Sequence, residues 1–326
     1  MRERIFTQLY LQKGEFVSGE ALSERLNITR SAVSKHIAAL RADGAEIESV
    51  QHKGHRLIAC PNRLRGPYTL PLLNSSRYIS DFLWYDSIGS TNDVLKEKGD
   101  GLNEIAICAS EEQTGGKGRR GRNWVSGKHQ GIYVSFLFKP SIATSDAFKI
   151  TILAAVAQVR AIRAVTGLSA EIKWPNDVLI SGKKISGTLT ELSADFDGIH
   201  HIVCGIGINV NQTVSDFSDD LKQKATSIRA VLGAPVDRLQ LFAAFIDAMI
   251  DFYNQFKDAG LSSFLKEYTD ASACLNQRVS IISEKNTISG IVVGFDENGM
   301  LLLDTGTEVK RIMAGEVSLR GENGYV

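Results

Sequence analysis

Apolar side chains recur at helical spacing from Ile5 to Leu11, and Gly14 ends that run. A second helix is predicted from Ser18 to Leu26, with Ser18 placed to cap it and Glu20 and Glu24 in its early turns. After a turn at Asn27-Ile28 the period returns from Thr29 to Arg41. Val33, Ile37 and Leu40 share the apolar face there, and Arg30, Ser31, Ser34, Lys35 and His36 lie on the early polar face. Short strands at Ile47–Val50 and Arg56–Ile58 flank the cationic tip Gln51-His-Lys53-Gly-His55. Helix, tight turn and helix is the layout in which the second helix enters a DNA major groove by its N-terminal half. A helical protein-interaction module has the same periodicity, but it leaves the cations and hydroxyls gathered on one helix's first turns unexplained.

The stretch from Pro61 to Pro71 holds three of the six prolines and reads as a linker. From Ser76 the pattern alternates between strands and helices. Apolar strand runs occur at Ile105–Ala109, Ile132–Phe138, Val178–Ile180, Ile185–Glu191 and Ile202–Asn211. Helices are predicted at Asp93–Lys98, Asp146–Val165, Asp237–Lys257 and Leu261–Tyr268. The aromatic stripe Phe242, Phe245, Tyr253 and Phe256 is core spacing, and no chemistry is assigned to it. Beyond Gln277 four short strands, 278–282, 288–293, 301–303 and 309–312, are punctuated at Glu284-Lys-Asn286, Glu297-Asn-Gly299 and Thr305-Gly306. That spacing predicts a small β-barrel. The fold class is α+β, with a helix-turn-helix unit at 1–62, a linker at 63–75, a central mixed α/β domain at 76–275 and a C-terminal barrel at 276–326.

A chain of 326 residues with 43% hydrophobic content supports several packed cores. Lys plus Arg and Asp plus Glu balance at 37 each, which excludes an indiscriminate polyanion binder. Through Arg65, eleven Lys/Arg face seven Asp/Glu, so any nucleic-acid surface is local to that segment. Cys60, Cys108, Cys204 and Cys274 are widely separated, and three lie in apolar runs, as expected of reduced, buried thiols. No leader-like start and no run of eighteen apolar residues is present, so a cytoplasmic, soluble protein that does not engage membranes is expected.

The densest chemistry lies between two strand runs, in Ser110-Glu-Glu-Gln-Thr-Gly-Gly-Lys-Gly-Arg-Arg-Gly-Arg-Asn-Trp124. Four glycines and four cations fall between Gly115 and Arg122. Glycines let several backbone N–H groups turn toward one point, and Lys117, Arg119, Arg120 and Arg122 add charge, which suits phosphate. It is not a Walker loop, because Glu111 stands where the first glycine should be and Gly118 where the hydroxyl should be. A solvated loop or a nucleic-acid patch has the same composition. Other motifs also have plain readings: helix capping for Ser87-Ile-Gly-Ser-Thr-Asn92, a turn for Lys173-Trp-Pro-Asn-Asp177, a solvated strand edge for Lys183-Lys184. Gly205-Ile-Gly207-Ile-Asn-Val-Asn211 lacks the third glycine of a dinucleotide fingerprint and reads as a buried strand with close backbone approach.

Gly116-Lys-Gly-Arg-Arg-Gly-Arg-Asn-Trp124 resembles the Gly-Arg-Gly-Arg-Arg-Gly-Arg-x-Trp signature of biotin–protein ligases. The other motifs recur in that family's order over nearly the whole chain. The N-terminal segment is similar to the winged helix of the bifunctional members that also repress biotin genes, and the C-terminal one to their SH3-like tail ending in Gly-Glu-x-Ser-Leu-Arg320. The resemblance implies a biotin site of Ser90, Thr91, Asn92, Gln113, Gly116, Arg119, Arg120, Gly121, Lys184, Gly187, Gly205 and Gly207. It implies a nucleotide site of Lys117, Arg119, Arg122, Trp124, Asn176, Asn209 and Arg320. Lys184, Arg119 and Asp177 are the implied catalytic residues, with Asp177 also toward Mg²⁺. Arg30, Ser31, Ser34, Lys35, His36 and Lys53 are the implied DNA contacts. Lys117 departs from the family pattern: the charge is kept while arginine's fork is lost.

The implied reaction joins biotin and ATP into biotinyl-5′-adenylate and passes biotin to a lysine of a carboxyl carrier domain of a carboxylase. The glycines suggest that 111–130 closes over the adenylate with Trp124. The implied partners are that carrier domain, operator DNA of biotin genes, and a second copy in an adenylate-promoted homodimer. Two other readings stay open: a ligand-sensing transcription factor without ligase activity, and a lipoate ligase.

Overall fold

A computed structural model describes residues 1–12, 14–196, 198–283, 286–314 and 318–321. Helices α1 (Arg2–Leu11), α2 (Gly19–Leu26) and α3 (Arg30–Ala42) precede the antiparallel pair β1 (Glu46–Val50) and β2 (Gly54–Ala59). Ser18 and Thr29 each sit at an N-cap and accept from the backbone N–H three residues on, at 3.0 and 3.2 Å. The apolar faces meet in one core of Ile5, Leu22, Val33, Ile37 and Ile47. Val17 bridges His55, which ties the α1–α2 connection to the wing. Gly54 has φ +109, and a Cβ there would stand 2.1 Å from the Val17 carbonyl oxygen, so this crossing admits only glycine.

The boundary segment is built into the structure and does not run free as expected. It contains α4 (Gly66–Thr69). Tyr68 packs edge-on against Phe6 in the N-terminal core, with centroids 5.0 Å apart, and its hydroxyl donates to Asp43. Leu64 N–H donates to Glu111 at 2.7 Å, and Asn74 and Ser75 bond Asp247.

A mixed seven-stranded sheet forms the centre, in the order β3 (Asp81–Tyr85), β4 (Ala106–Ser110), β5 (Ile132–Phe138), β9 (Gly198–Ile208), β8 (Lys183–Asp195), β7 (Asp177–Ile180), β6 (Glu171–Lys173). β3 and β4 are parallel and the other pairs antiparallel. α6 (Lys149–Thr166) packs on one face, its Ala154, Ala155 and Ala157 fully buried. α5 (Thr91–Lys98) covers part of the other face through Val94 and Leu95, against Ala106, Cys108, Leu137 and Val203. With both faces covered, β4 and β5 are buried at every position, which is why their sequences are nearly continuously apolar. Short helices α7 (Asp219–Lys222) and α8 (Ile228–Leu232) follow β9. The long α9 (Arg238–Ala259) then lies along α6, with the expected aromatic stripe inside, and α10 (Leu265–Asp270) ends the domain.

The last unit is a five-stranded antiparallel sheet in the order β13 (Val309–Ile312), β12 (Leu301–Asp304), β11 (Thr287–Phe295), β10 (Arg278–Ile282), β14 (Ser318–Gly321). Of the expected small barrel the described residues show the antiparallel sheet; its closure is not shown, since no ladder among them joins the outer strands β13 and β14. Asp197, the start of Glu284-Lys-Asn286 and the Gly315-Glu-Val317 part of the closing motif lie outside the described residues. No helix is long and apolar enough to cross a membrane.

Candidate active site

The segment after β4 returns to the sheet as a folded flap. Gln113 bridges Ser126 and Lys117 bridges Asn123, both antiparallel, and Trp124 N–H donates to the Gly116 carbonyl at 2.9 Å. Glu111 fixes its base. Fully buried, it is paired at 2.7 Å with the equally buried Arg238 at the start of α9, and it lies 3.0 Å from His129 at the flap's far end. Burial alone would raise its carboxyl pKa. The Arg238 guanidinium and the Leu64 N–H outweigh that and hold it below the usual range.

Beneath the flap is a cleft open to solvent on one side. Ser90, Thr91, Asn92, Gln113, Lys117, Arg119, Trp124, Asn176, Lys184, Gly187, Gly205 and Gly207 line it. Elements far apart in sequence therefore meet here: the N-terminus of α5, the flap, the β6–β7 turn, the first half of β8 and the C-terminal end of β9. Gly187 and Gly207 are cross-strand partners. Trp124 lies over both, since a Cβ on Gly207 would come within 2.4 Å of the indole and one on Gly187 within 3.4 Å. A Cβ on Gly205 would meet Asn92 Oδ1 at 2.0 Å. These glycines clear space for side chains of the chain itself as well as for a ligand.

One end of the cavity is charged. Lys184 Nζ lies 2.6 Å from Asp177 Oδ1 and 5.4 Å from the Trp124 ring centroid. Arg119 donates to Asn176 Oδ1 at 2.8 Å, and Asn176 donates onward to the Thr188 carbonyl at 3.0 Å. Burial lowers the Arg119 pKa, with Asp177 opposing and Arg120 adding to the effect. Lys173, 3% exposed and directly across the hairpin from Asp177, is brought down to about 8. Burial is the main cause; Asp177 opposes it, while Arg320 and Lys184 reinforce it. Sequence reasoning assigned Lys173 no role, although it opens the motif that supplied Asn176 and Asp177.

The other end is uncharged at the cavity wall. Thr91 N–H and Oγ1 both reach Gln113 Oε1, at 2.9 and 3.0 Å. Fully buried Ser135 lies 2.6 Å from Asn92 Oδ1 and 2.7 Å from Thr91 Oγ1. The plain capping reading of Ser90 fails: it occupies the N-cap of α5, but its hydroxyl makes no cap bond, and the residue lines the cavity. Ser135, Thr188 and Glu191 were missed, because single polar residues within strands carry no local signature.

Some expected residues stand apart from the cavity. Arg120, Gly121 and Arg122 form the exposed outer turn of the flap, Arg120 in a left-handed conformation at φ 57. Gly116 lines the flap's own crossing, where a Cβ would meet the Trp124 carbonyl at 2.4 Å. Asn209 donates to the Thr226 carbonyl at 3.1 Å behind the floor. Arg320, on β14, acts electrostatically on Lys173 from the C-terminal unit. Lys117 is at the mouth, ion-paired with Asp93 at 2.6 Å. No group of three or more His, Cys, Asp or Glu able to hold a metal occurs among the described residues.

The profile of the Biotin/lipoate A/B protein ligase family matches residues 84–209, an HTH domain profile matches 2–56, and the Biotin protein ligase C terminal domain profile matches 274–320. The Bacillus subtilis bifunctional ligase/repressor BirA is 33% identical over 314 residues, covering 96% of this chain and 97% of the relative. The Bacillus spizizenii BirA is 34% identical with the same coverage. The chain belongs to the bifunctional ligase/repressor BirA family. The Escherichia coli BirA is 29% identical over 315 residues, 95% of each chain. The Aquifex aeolicus biotin protein ligase, solved in complex with biotin and ATP, superposes with a TM-score of 0.67 at 30% identity, covering 75% of this chain and all of that one.

In this BirA-family chain the residues that the resemblance implies as DNA contacts lie mostly at the surface. Arg30, Ser31, Ser34 and Lys35 of α3 and Lys53 of the wing are exposed, and His36 is half-buried. Arg30 is ion-paired with Glu20 at 2.5 Å. All four cysteines are free thiols; burial pushes Cys60, Cys108 and Cys204 up to about 12 and Cys274 up to about 11. None is poised as a nucleophile.

Proposed function

We propose that the chain activates biotin with ATP and transfers it to a lysine of a biotin carboxyl carrier domain, and that with the adenylate bound it dimerises and represses biotin genes. The observation that carries this reading is the convergence of Lys184, Arg119 and Trp124 with Thr91, Asn92 and Gln113 on one flap-covered cavity. The units doing this work are the DNA-binding part at 1–62, the connection at 63–75, the ligase domain at 76–275 and the C-terminal part at 276–326.

In the first step the biotin carboxylate attacks the α-phosphorus of ATP, a new C–O–P linkage forms, and the bond to pyrophosphate breaks. Two anions must meet, so the protein's task is neutralisation and alignment. Lys184 holds the reacting oxygens, and Asp177 keeps that ammonium directed. Arg119, oriented by Asn176, binds the phosphate side, with Lys173 and Arg320 adding charge. In the second step the carrier lysine attacks the carbonyl carbon and AMP leaves. Trp124 and the flap keep water off the mixed anhydride until then.

Mg²⁺ fits as a companion of the triphosphate. Such ions take one or two carboxylates plus substrate phosphates, and Asp177 is a carboxylate at the right end of the site. When bound, the ion supplies charge neutralisation at the phosphates.

Mass spectrometry of a carboxylase carrier domain incubated with the protein, biotin and MgATP tests the enzyme: one added biotinyl group per domain is expected. An unmodified carrier overturns the reading. For the repressor, sedimentation with and without biotin plus ATP should show a dimer with both. A single helix reads little sequence alone, so a ligand-independent monomer on DNA would count against repression.

A further inference from the structure

The first strand of the flap is anchored differently along its length. At the base it runs beside residues 88–89 through backbone bonds, Thr114 N–H to the Ile88 carbonyl at 2.9 Å and Gly115 N–H to the Gly89 carbonyl at 2.8 Å. Further out the anchor is a side chain: Lys117 Nζ pairs with Asp93 Oδ1 at 2.6 Å. Asp93 lies in the first turn of α5, directly after Thr91 and Asn92, and is not among the residues that line the cavity. Lys96, one turn further along the helix, pairs with Glu191 at 2.7 Å, which leaves the Asp93 carboxylate to Lys117.

Lys117 is in turn tied to Trp124. Two backbone bonds flank the Lys117–Asn123 bridge, from Trp124 N–H to the Gly116 carbonyl at 2.9 Å and from Gly118 N–H to the Arg122 carbonyl at 2.7 Å. They join the strand of Lys117 to the one that carries the indole. Side chains alternate along a strand, so Lys117 and Asn123 share one face of this ribbon and Trp124 projects from the other, onto Gly187 and Gly207. A ribbon restrained at Lys117 keeps the indole on the cavity floor, and one released there lifts more easily.

We propose that Asp93 is a positioning residue for the flap: its pair with Lys117 latches the flap to α5 and slows escape of the bound adenylate. The inference rests on the proposed adenylate site and deepens it. An ammonium on one carboxylate oxygen is a single-point contact, so the latch opens when that one contact breaks. Its side chains are 49% and 47% exposed, which puts the effect on the scale of a surface ion pair and makes it sensitive to salt. Asp93 also faces the positive end of the α5 dipole, and the test has to separate that role from the latch.

The experiment follows release of chemically prepared biotinyl-5′-adenylate from the full chain, for the unaltered protein, Asp93→Asn, Lys117→Gln and the double variant, alongside biotin-dependent ATP–pyrophosphate exchange. Asp93→Asn should release the adenylate about threefold faster, with the kcat of exchange and the melting temperature unchanged. In the Lys117→Gln background the same substitution should change release little, because the latch is already open. Release from Asp93→Asn at the original rate overturns the inference. Equal acceleration in both backgrounds also overturns it, since Asp93 would then act through the start of α5. Raising the salt should speed release more from the unaltered protein than from Asp93→Asn, and parallel salt responses refute the latch. A protein that holds the prepared adenylate in the expected pattern yet makes none of its own upholds the inference and sinks the ligase reading. If the unaltered protein holds no adenylate, both fall.

Discussion

The two ends of the cavity solve different problems. At the charged end, Lys184, Arg119 and Lys173 crowd one carboxylate, Asp177, and burial lowers the pKa of Arg119 and Lys173, so the end favours an arriving anion. At the other end, Gln113, Thr91, Ser135 and Asn92 form one hydrogen-bonded chain, and the Asn92 amide donates onward to Glu191. The first end works by excess charge, which tolerates small displacements; the second works by the direction of each bond, which does not.

Substitutions at the two ends should therefore separate cleanly in kinetics. The largest effect is expected for Lys184→Met, which removes the cation proposed to face the reacting oxygens: biotin-dependent ATP–pyrophosphate exchange should fall about 10²–10³-fold. Exchange within threefold of the original would move the chemistry to another group. Next, Arg119→Gly removes a charge-assisted contact, so adenylate should still form but escape about 10–100-fold faster. Filtration of the complex on a sizing column would measure this, and retained adenylate would refute it.

Lys173 supplies the pH handle. Its pKa near 8 means that the ammonium present at pH 7 is largely gone at pH 9, so the ATP KM should rise about threefold to tenfold across that range. Lys173→Met should flatten the profile; a parallel profile in the variant would assign the titration elsewhere. The same shift affects folding. The unfolded chain keeps this proton up to about 10.5, so the residue's contribution to stability grows as pH climbs from about 8 toward that value. The smallest effect is expected at the polar end, where Ser135→Ala should raise the biotin KM about fivefold with the ATP KM unchanged, since a neutral hydrogen bond is worth about 1 kcal/mol net. Equal changes in both constants would erase the distinction between the ends.

The charged end was the more legible one. Cations and glycines cluster locally, so Lys117 and Arg119 stood out as residues that solvent or phosphate must satisfy, while Lys184 was singled out only by the family resemblance; all three line the cavity. Arg120 and Arg122 belong to the same run and point outward, because the turn at Arg120 reverses the flap; composition cannot distinguish the two sides of a loop. Ser135 and Glu191 were invisible for another reason. Each is one polar residue in a strand, and its importance comes from β5 and β8 being brought beside α5.

Hydrophobic period, capping residues and turn chemistry are local properties, so the sequence by itself determined the three helices and wing of the DNA-binding part, the long helices and most of the strands of the centre, and four of the five short strands at the end, but not the edge strands β3 and β14. Whether those last strands close, how the boundary segment packs on both neighbours, and which glycines yield their space to Trp124 and Asn92 were decided only by the tertiary structure. These depend on contacts between residues tens to more than a hundred positions apart, as in the Glu111–Arg238 pair that fastens the flap's base to the start of α9. Such contacts leave no period in the chain, because each is satisfied by a partner that only folding brings near.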